Sequence, residues 1–429
     1  MTPEQNELLR TLQQDSFSYF LHQTNPANGL VRDKSREEWP ASIAAVGLAL
    51  AAYPAGVERG FITRDDAMRR TLATLRFFAH APHGPESDAT GHKGFYYHFL
   101  HMKSGRRAWH SELSSVDSAY LFAGMLAAAA YFQHPTTAEA EIRRLADALY
   151  RKADWQWMQN GAAAVSHGWT PEKGFLRYRW QGYNEALIIY LLGLGSPTHP
   201  LPVESYHAWA STYKWKKIYD IEFLYAGPLF IHQLPQVWID FRGIRDAFMR
   251  EHDLDYFENS RRATHVQQQY AIRNPRGFAH YNACCWGITA SDGPGPATRV
   301  VAGTKRKFHD YIARGVPFGP DDGTLAPWAV VASLPFAPEI VLPTLQNYER
   351  MDLEAARSFG YKASFNPTFP VQPKHEHGWV SPYHFGLNEG PIVLMIENHR
   401  SGFLWSLMRQ CPYLVTGLRR AGFTGGWLS

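Results

Sequence analysis

Arg177-Tyr178-Arg179-Trp180-Gln181-Gly182-Tyr183-Asn184-Glu185 runs directly into Ala186-Leu187-Ile188-Ile189-Tyr190-Leu191-Leu192-Gly193-Leu194. The second part is apolar on every side of a helix, so protein must cover it all round. The first part crowds two arginines, three large aromatics and amides around one glutamate, where that buried helix begins. Free N–H groups and a partial positive charge favour an acid at a helix start. Flat aromatic faces beside an acid suit a sugar ring that is to be protonated on one oxygen. The plainer reading is a helix-start acid paired with Arg177 or Arg179.

Outward from this stretch, apolar-all-round helices alternate with two-faced ones. Leu8 to Leu21 is amphipathic, Ile43 to Ala52 apolar nearly all round, and Ala67 to Phe78 amphipathic again. Val116 to Phe132 is nearly all apolar, Ala138 to Trp157 has a charged face, and Val203 to Tyr213 is mixed. Wholly apolar helices inside and two-faced helices outside predict an all-α fold, a single (α/α)6 barrel of inner and outer helices. No linker divides the chain, so residues 1–429 are read as one domain. Gly/Pro- and aromatic-rich stretches (94–99, 168–183, 315–323 and 367–390) are expected at the rim as loops or small strands.

Composition narrows the function classes. Of 429 residues, 14% are aromatic and only 19% charged, with a formal net charge of +4. That charge is weak for a polyanion binder, and Lys305-Arg306-Lys307 reads as a solvated loop, so no nucleic-acid partner is expected. The three cysteines, Cys284, Cys285 and Cys411, form no disulfide framework or CxxC pattern and read as buried thiols. The apolar runs are too short or interrupted to span a bilayer. Met1-Thr2-Pro3-Glu4-Gln5-Asn6 carries no export signal. The expected location is the cytoplasm, or the periplasm if a leader has been removed; the sequence is silent on oligomeric state.

Four acidic positions fall near helix starts in aromatic surroundings. Asp117 follows Ser114 at capping-box spacing, so a capping role competes with a catalytic one. Glu112 lies five residues earlier and is placed with it. Glu185 is the second, and Glu389, just before the apolar run Ile392 to Ile396, is the third. Glu397, inside that run's helix, reads as a buried salt bridge. Sugar hydrolysis uses two carboxyl groups across the scissile bond, one kept protonated by burial or a neighbouring carboxylate. His375-Glu376-His377 is the tightest histidine cluster, but no third ligand at a recognisable spacing follows, so no metal is expected. No GxSxG, Walker A or dinucleotide fingerprint occurs, and no cofactor is implied.

A set of blocks in order carries a resemblance. Trp180 to Ala186, Gly195 to Pro200, Leu224 to Phe230, Trp238 to Gly243, Asp255 to Ser260, Trp286 to Pro294, Asp322 to Pro327 and Met395 to Asn398 together resemble the bacterial glycoamylase-like proteins. These are similar to glycoside hydrolase family 144, which cleaves or transfers β-1,2-linked glucose, and to the cyclisation part of cyclic β-1,2-glucan synthases. The resemblance implies an (α/α)6 barrel and hydrolysis of a β-linked glucan, most simply β-1,2-glucan. It implies Glu185 as proton donor and Asp117, with Glu112, as the opposing acid, although some relatives pass the proton through a substrate hydroxyl or water. Expected sugar contacts are Trp39, Arg177, Tyr178, Trp180, Tyr183, Tyr225 and Trp286, with Glu389 at the mouth where the family pattern has Gln. Packing in the core is the competing role for each aromatic. A transglycosylase on the same scaffold and a non-catalytic glucan-binding protein are the alternative functions.

Overall fold

The computed structural model describes residues 1–429 except 352, 354–357 and 374–376. His375 and Glu376 of the histidine cluster therefore lie outside the described residues. A continuous hydrophobic core runs from Leu9 to Leu428.

Helices dominate, and their burial follows their composition. Ile43–Glu58 is buried from Ile43 through Gly56, Leu187–Gly195 and Pro327–Ala332 at every residue, and Gly386–Ser401 from Asn388 through Asn398. Ser115–Tyr131 is buried almost throughout to Ala128, and Leu229–Trp238 at Leu229 and from His232 onward. These helices pack on one another: Ile43–Glu58 lies between Gly386–Ser401 and Ser115–Tyr131, and Pro327–Ala332 and Leu229–Trp238 both touch Gly386–Ser401. Two-faced helices lie outside them. Pro3–His22 covers Gly386–Ser401, Thr137–Arg151 covers Ser115–Tyr131, Tyr256–Arg273 covers Leu229–Trp238, and Pro412–Arg420 covers Leu187–Gly195. Arg64–His80, packed against Thr137–Arg151 and Ile43–Glu58, buries Ala67, Thr71, Leu75 and Phe78. The inner and outer layers expected from hydrophobic periodicity are thus present.

The tightest inner contact is between Ile43–Glu58 and Ser115–Tyr131. A Cβ on Gly124 would sit 2.0 Å from the Gly47 carbonyl oxygen, and one on Gly47 would sit 2.3 Å from that of Tyr120. The glycines let two backbones touch where any side chain would wedge them apart.

Two expected elements differ. The charged-face helix stops at Arg151, and a separate helix, Trp155–Gln159, begins behind Asp154, whose carboxylate accepts the Trp157 N–H at 2.9 Å. That side chain takes a backbone donor which a continuous helix would have used internally. At the other end of the chain, Gly386–Ser401 starts before Pro391 and carries it in its second turn, at the loss of one ladder bond. Glu389 therefore lies in the first turn of a helix and not in a loop.

Short antiparallel strands decorate one end. Ala41–Ser42 pairs with Phe99–Leu100, Leu113–Ser114 with Gly168–Thr170, and Ala290–Ser291 with Ile312–Ala313. Ser42 and Ser114 close their strands and cap the inner helices that follow, accepting the N–H of Ala45 and Asp117. These strand pairs fix where the inner helices begin. Among the described residues no helix is long and apolar enough to cross a membrane.

Candidate active site

The inner helices open toward one cavity of about 450 Å³. Ser42, Asp117, Phe230, Trp328 and Leu387 each belong to the first turn or cap of a different inner helix, and Glu185 lies two residues before another. Several helix N-termini thus face the same space, an arrangement that favours negative charge. Trp39, Phe99 and Trp109 form an aromatic wall, with the two tryptophans 4.6 Å apart and nearly perpendicular. Asp33, Lys34, Asp292 and Tyr311 complete the polar lining. An apolar hollow with a few convergent ionisable groups is the ordinary form of a small-molecule or sugar site.

Glu185 is held by its own turn. The Asn184 side-chain oxygen accepts from the Ala186 N–H and from Trp209 Nε1, both at 3.1 Å, which fixes the backbone on either side of the glutamate. Tyr120 Oη donates to the Glu185 carbonyl at 3.4 Å. The carboxyl is enclosed by the cavity walls, and burial, reinforced by the charge of Asp117, pushes its pKa up to about 7. A carboxylic acid so tuned holds its proton near neutral pH and can donate it. The competing ion pair is not formed: Arg179 donates to the carbonyls of Gln159 and Ala164, and Arg177 lies over the Tyr178 ring.

Asp117 both caps and lines. Its N–H donates to Ser114 Oγ at 3.2 Å, its carboxylate accepts the Ser114 hydroxyl, and its side chain faces the cavity. His98 stands beside it, with Nε2 3.6 Å from Asp117 and Nδ1 2.9 Å from Glu112, stacked flat on Phe99 at 4.0 Å. Burial alone would lower the His98 pKa, but Asp117, Glu112 and Asp33 outweigh it and raise it to about 9. In return His98 holds the Glu112 carboxyl below its usual value, against the burial that would raise it. Ligand atoms of His98, Glu112 and Asp117 lie within 4.8 Å of one another, a spacing open to a metal ion. With His98 protonated, the same spacing is that of an imidazolium bridging two carboxylates, and a metal-binding imidazole would have to be neutral.

The structure redistributes the expected sugar contacts. Trp39 is in the cavity, its Nε1 donating to Asp33 at 3.1 Å. Glu112 is behind His98 and outside the lining. Trp180 stacks on His167 at 3.8 Å and donates to Ser115 Oγ, in a supporting position beneath the site. Trp286 is fully buried and bonds Thr344, because its ring is core packing. Tyr183 packs among Tyr213, His232 and Tyr256, and Tyr178, 60% exposed beside Arg177, lies outside the lining. Glu389 is buried against His384, 3.3 Å away, instead of standing at the mouth. Tyr225 lines a neighbouring cavity.

The sequence alone does not single out Asp33, His98, Trp109, Asp292 or Tyr311. Burial raises the pKa of Asp33 in spite of His98, Trp39 and Lys34. Asp292 accepts the Ser381 hydroxyl at 2.9 Å. Trp109 and His110 are successive residues with φ of 55° and 50°, uncommon for bulky side chains, and this bend leaves Trp109 52% exposed at the mouth. The usable signal is positional: His98 and Trp109 flank the rim strands that precede Asp117.

Comparison with known proteins identifies the family of the chain. A family model described as "Putative glucoamylase" matches residues 177–412, more than half of the chain. A solved structure from Bacteroides uniformis, described as a "putative glucoamylase", superposes over the full length of both chains at 31% identity and a TM-score of 0.87. A β-1,2-glucanase structure from Parabacteroides distasonis matches at 26% identity and a TM-score of 0.84, covering 98% of this chain and 60% of that one. A curated relative from the same species, an exo β-1,2-glucooligosaccharide sophorohydrolase acting at the non-reducing end, is 28% identical over 98% of this chain. The chain spans 58% of that relative's length. The family match therefore takes in Glu185 and the inner helices that follow it, and the chain belongs to the glucoamylase-like family so described.

Proposed function

We propose that the protein is a glycoside hydrolase that cleaves β-1,2-linked glucan, with Glu185 as general acid. The observation that carries this reading is a cavity-facing carboxyl raised to about 7, at the start of a buried helix, in the same cavity as Asp117 and an aromatic wall. Glu185 protonates the glycosidic oxygen as the bond to the leaving sugar breaks. Asp117, held by Ser114 and His98, activates or orients the attacking water, and Trp39 and Trp109 stack on the sugar faces. The names of the Parabacteroides distasonis relatives supply the linkage. The order of inner and outer helices supports a closed (α/α)6 barrel built by the whole chain as one catalytic unit.

The test is a panel of glucans of different linkage, with products followed over time by chromatography, with and without an acceptor sugar. The expected result is release of short β-1,2-linked products by the wild type. Glu185→Gln is expected to lose at least about a hundredfold in kcat, the scale of a lost general acid. Preference for another linkage would overturn the substrate, and full activity of the variant would overturn the role of Glu185.

A further inference from the structure

Beside the acid-bearing cavity lies a second hollow of about 380 Å³, and the two share Ala313 in their walls. Pro228 lines the second and Phe230 the first, with only Leu229 between them. The second hollow has its own aromatic pair. Tyr225, half-buried, and Phe318, 67% exposed, have ring centres 5.6 Å apart at 66°. The Lys216 ammonium stands 5.1 Å from the Phe318 ring and 5.8 Å from that of Tyr225.

The loop that carries Phe318 is tied down. Gly315 N–H donates to the Pro320 carbonyl at 3.0 Å, and Val316 N–H to the Gly227 carbonyl at 3.3 Å. A Cβ on Gly315 would meet the Gly227 carbonyl carbon at 2.7 Å, so the loop rests directly on the neighbouring backbone. Phe318 is thus held mostly out in water by a packed support, where it contributes little to burial. The other exposed aromatics include Trp109 and Tyr311, both in the lining of the first cavity. Of the four exposed large aromatics among the described residues, three thus lie in the two adjoining hollows, and Tyr178 lies in neither.

We propose that the second hollow is a distal sugar subsite, taking glucose units of a glucan chain that leaves the acid-bearing cavity past Ala313. This rests on the reading of that cavity as the cleavage site for a glucan. A glucose ring has apolar C–H faces and a rim of hydroxyls. Phe318 and Tyr225 supply faces for the former, and Lys216 supplies N–H donors for the latter. Because the two hollows adjoin at Ala313, the occupant we assign is the rest of the same chain.

The consequence is an affinity that grows with chain length. We would measure kcat and KM of the wild type and Phe318→Ala on β-1,2-gluco-oligosaccharides of increasing length. Binding of the same series to Glu185→Gln, with and without Phe318→Ala, would be measured by calorimetry. Expected is a KM that falls with length in the wild type. Phe318→Ala should raise it about tenfold for long substrates, a factor worth ~1.4 kcal/mol, and leave the shortest cleaved substrate unchanged. Phe318→Trp should restore the length dependence, and neither change should move the Tm of so exposed a residue. An unchanged KM at every length in Phe318→Ala, or an equal rise for the shortest substrate, overturns the subsite. If the wild type cleaves none of the series while Glu185→Gln binds it with a length dependence that Phe318→Ala removes, the cleavage reading fails and the subsite stands. If binding shows no length dependence, the subsite fails whatever the activity.

Discussion

At the scale of single residues, the site is a balance of charges in a largely apolar cavity. Glu185 has its folded pKa raised from 4.5 to about 7 by burial and by Asp117. The folded state then keeps a proton that the unfolded chain has already lost, so stability falls as pH rises between those two values. Glu185→Gln removes this cost, and a variant more stable than wild type by about 2 kcal/mol at pH 8, with no difference at pH 4, is expected from thermal melts. The same proton is the one donated, so wild-type kcat should decline above pH 7; a flat profile to pH 9 would separate the two roles. His98 behaves oppositely, as a base whose folded pKa is raised to about 9 by Asp117, Glu112 and Asp33 against burial. Its contribution is complete below 6.5 and lost as pH climbs through 9. His98→Gln is expected to cost about 2 kcal/mol at pH 6, discounted for partial exposure, and little at pH 10; equal losses at both would mean that packing on Phe99 is all that matters. Glu185 and Asp117 are legible in the sequence because each stands at or near the start of an apolar helix, whereas Trp39 enters only as one of several expected sugar contacts. Asp33, Asp292 and Tyr311 are not legible, because they meet only when loops far apart in sequence converge. Trp286 shows the converse difficulty. A tryptophan bonded to Thr344 in the core and one stacked on a sugar look alike in sequence, since both need a partner for the indole N–H.

At the scale of elements, the inner helices were the most legible part of the chain, since a helix without a polar face has only one place to go. The ends were less so. Asp154 as a cap and Pro391 in the second turn of its helix shift boundaries by amounts that periodicity does not register. Nor does periodicity reveal how closely two helices approach. The contact of Ile43–Glu58 with Ser115–Tyr131 depends on Gly47 and Gly124 facing each other's backbone. Gly124→Ala puts a methyl 2.0 Å from a carbonyl oxygen that cannot retreat without moving its helix. Overpacking costs typically about 1–3 kcal/mol, and the upper end is expected because backbone and not a side chain must give. Gly124 shares its helix, Ser115–Tyr131, with Asp117, so activity should fall along with Tm as measured by circular dichroism. Gly161 is the control, since a Cβ there would meet nothing within 4 Å although its φ is 72°. Gly161→Ala should cost only the backbone contribution of about 1 kcal/mol and leave activity intact.

At the scale of the whole molecule, the first and last parts of the chain are joined by one carboxylate. Glu397, on the inner helix Gly386–Ser401, accepts from Arg59 Nε at 2.6 Å and Nη2 at 2.7 Å, just past the end of Ile43–Glu58. Gln13, on the outer helix Pro3–His22, donates to the same carboxylate at 2.9 Å, and Ser401 at 2.6 Å. The buried salt bridge expected from sequence is present, and its context shows what it does: it ties three helices from opposite ends of the sequence. Burial would raise the pKa of Glu397, but Arg59, Ser401 and Gln13 together hold it below the ordinary glutamate value. A group depressed in this way stabilises above its unfolded pKa, near 4.5, and loses that contribution as pH falls through the folded value. Glu397→Ala leaves Arg59 without its paired carboxylate and Gln13 with the Val393 carbonyl, 3.1 Å away, but not the Glu397 carboxylate, although Arg59 is exposed enough to recover some hydration. A loss of about 3 kcal/mol at pH 7, shrinking toward pH 3, is therefore expected from denaturant titration. Because the tie closes the molecule on itself, the transition should move as a single step in both circular dichroism and tryptophan fluorescence. A two-step curve, with the first step confined to the loss of Pro3–His22, would mean that the inner helices hold together without the tie and that Glu397 only fastens the outer helix.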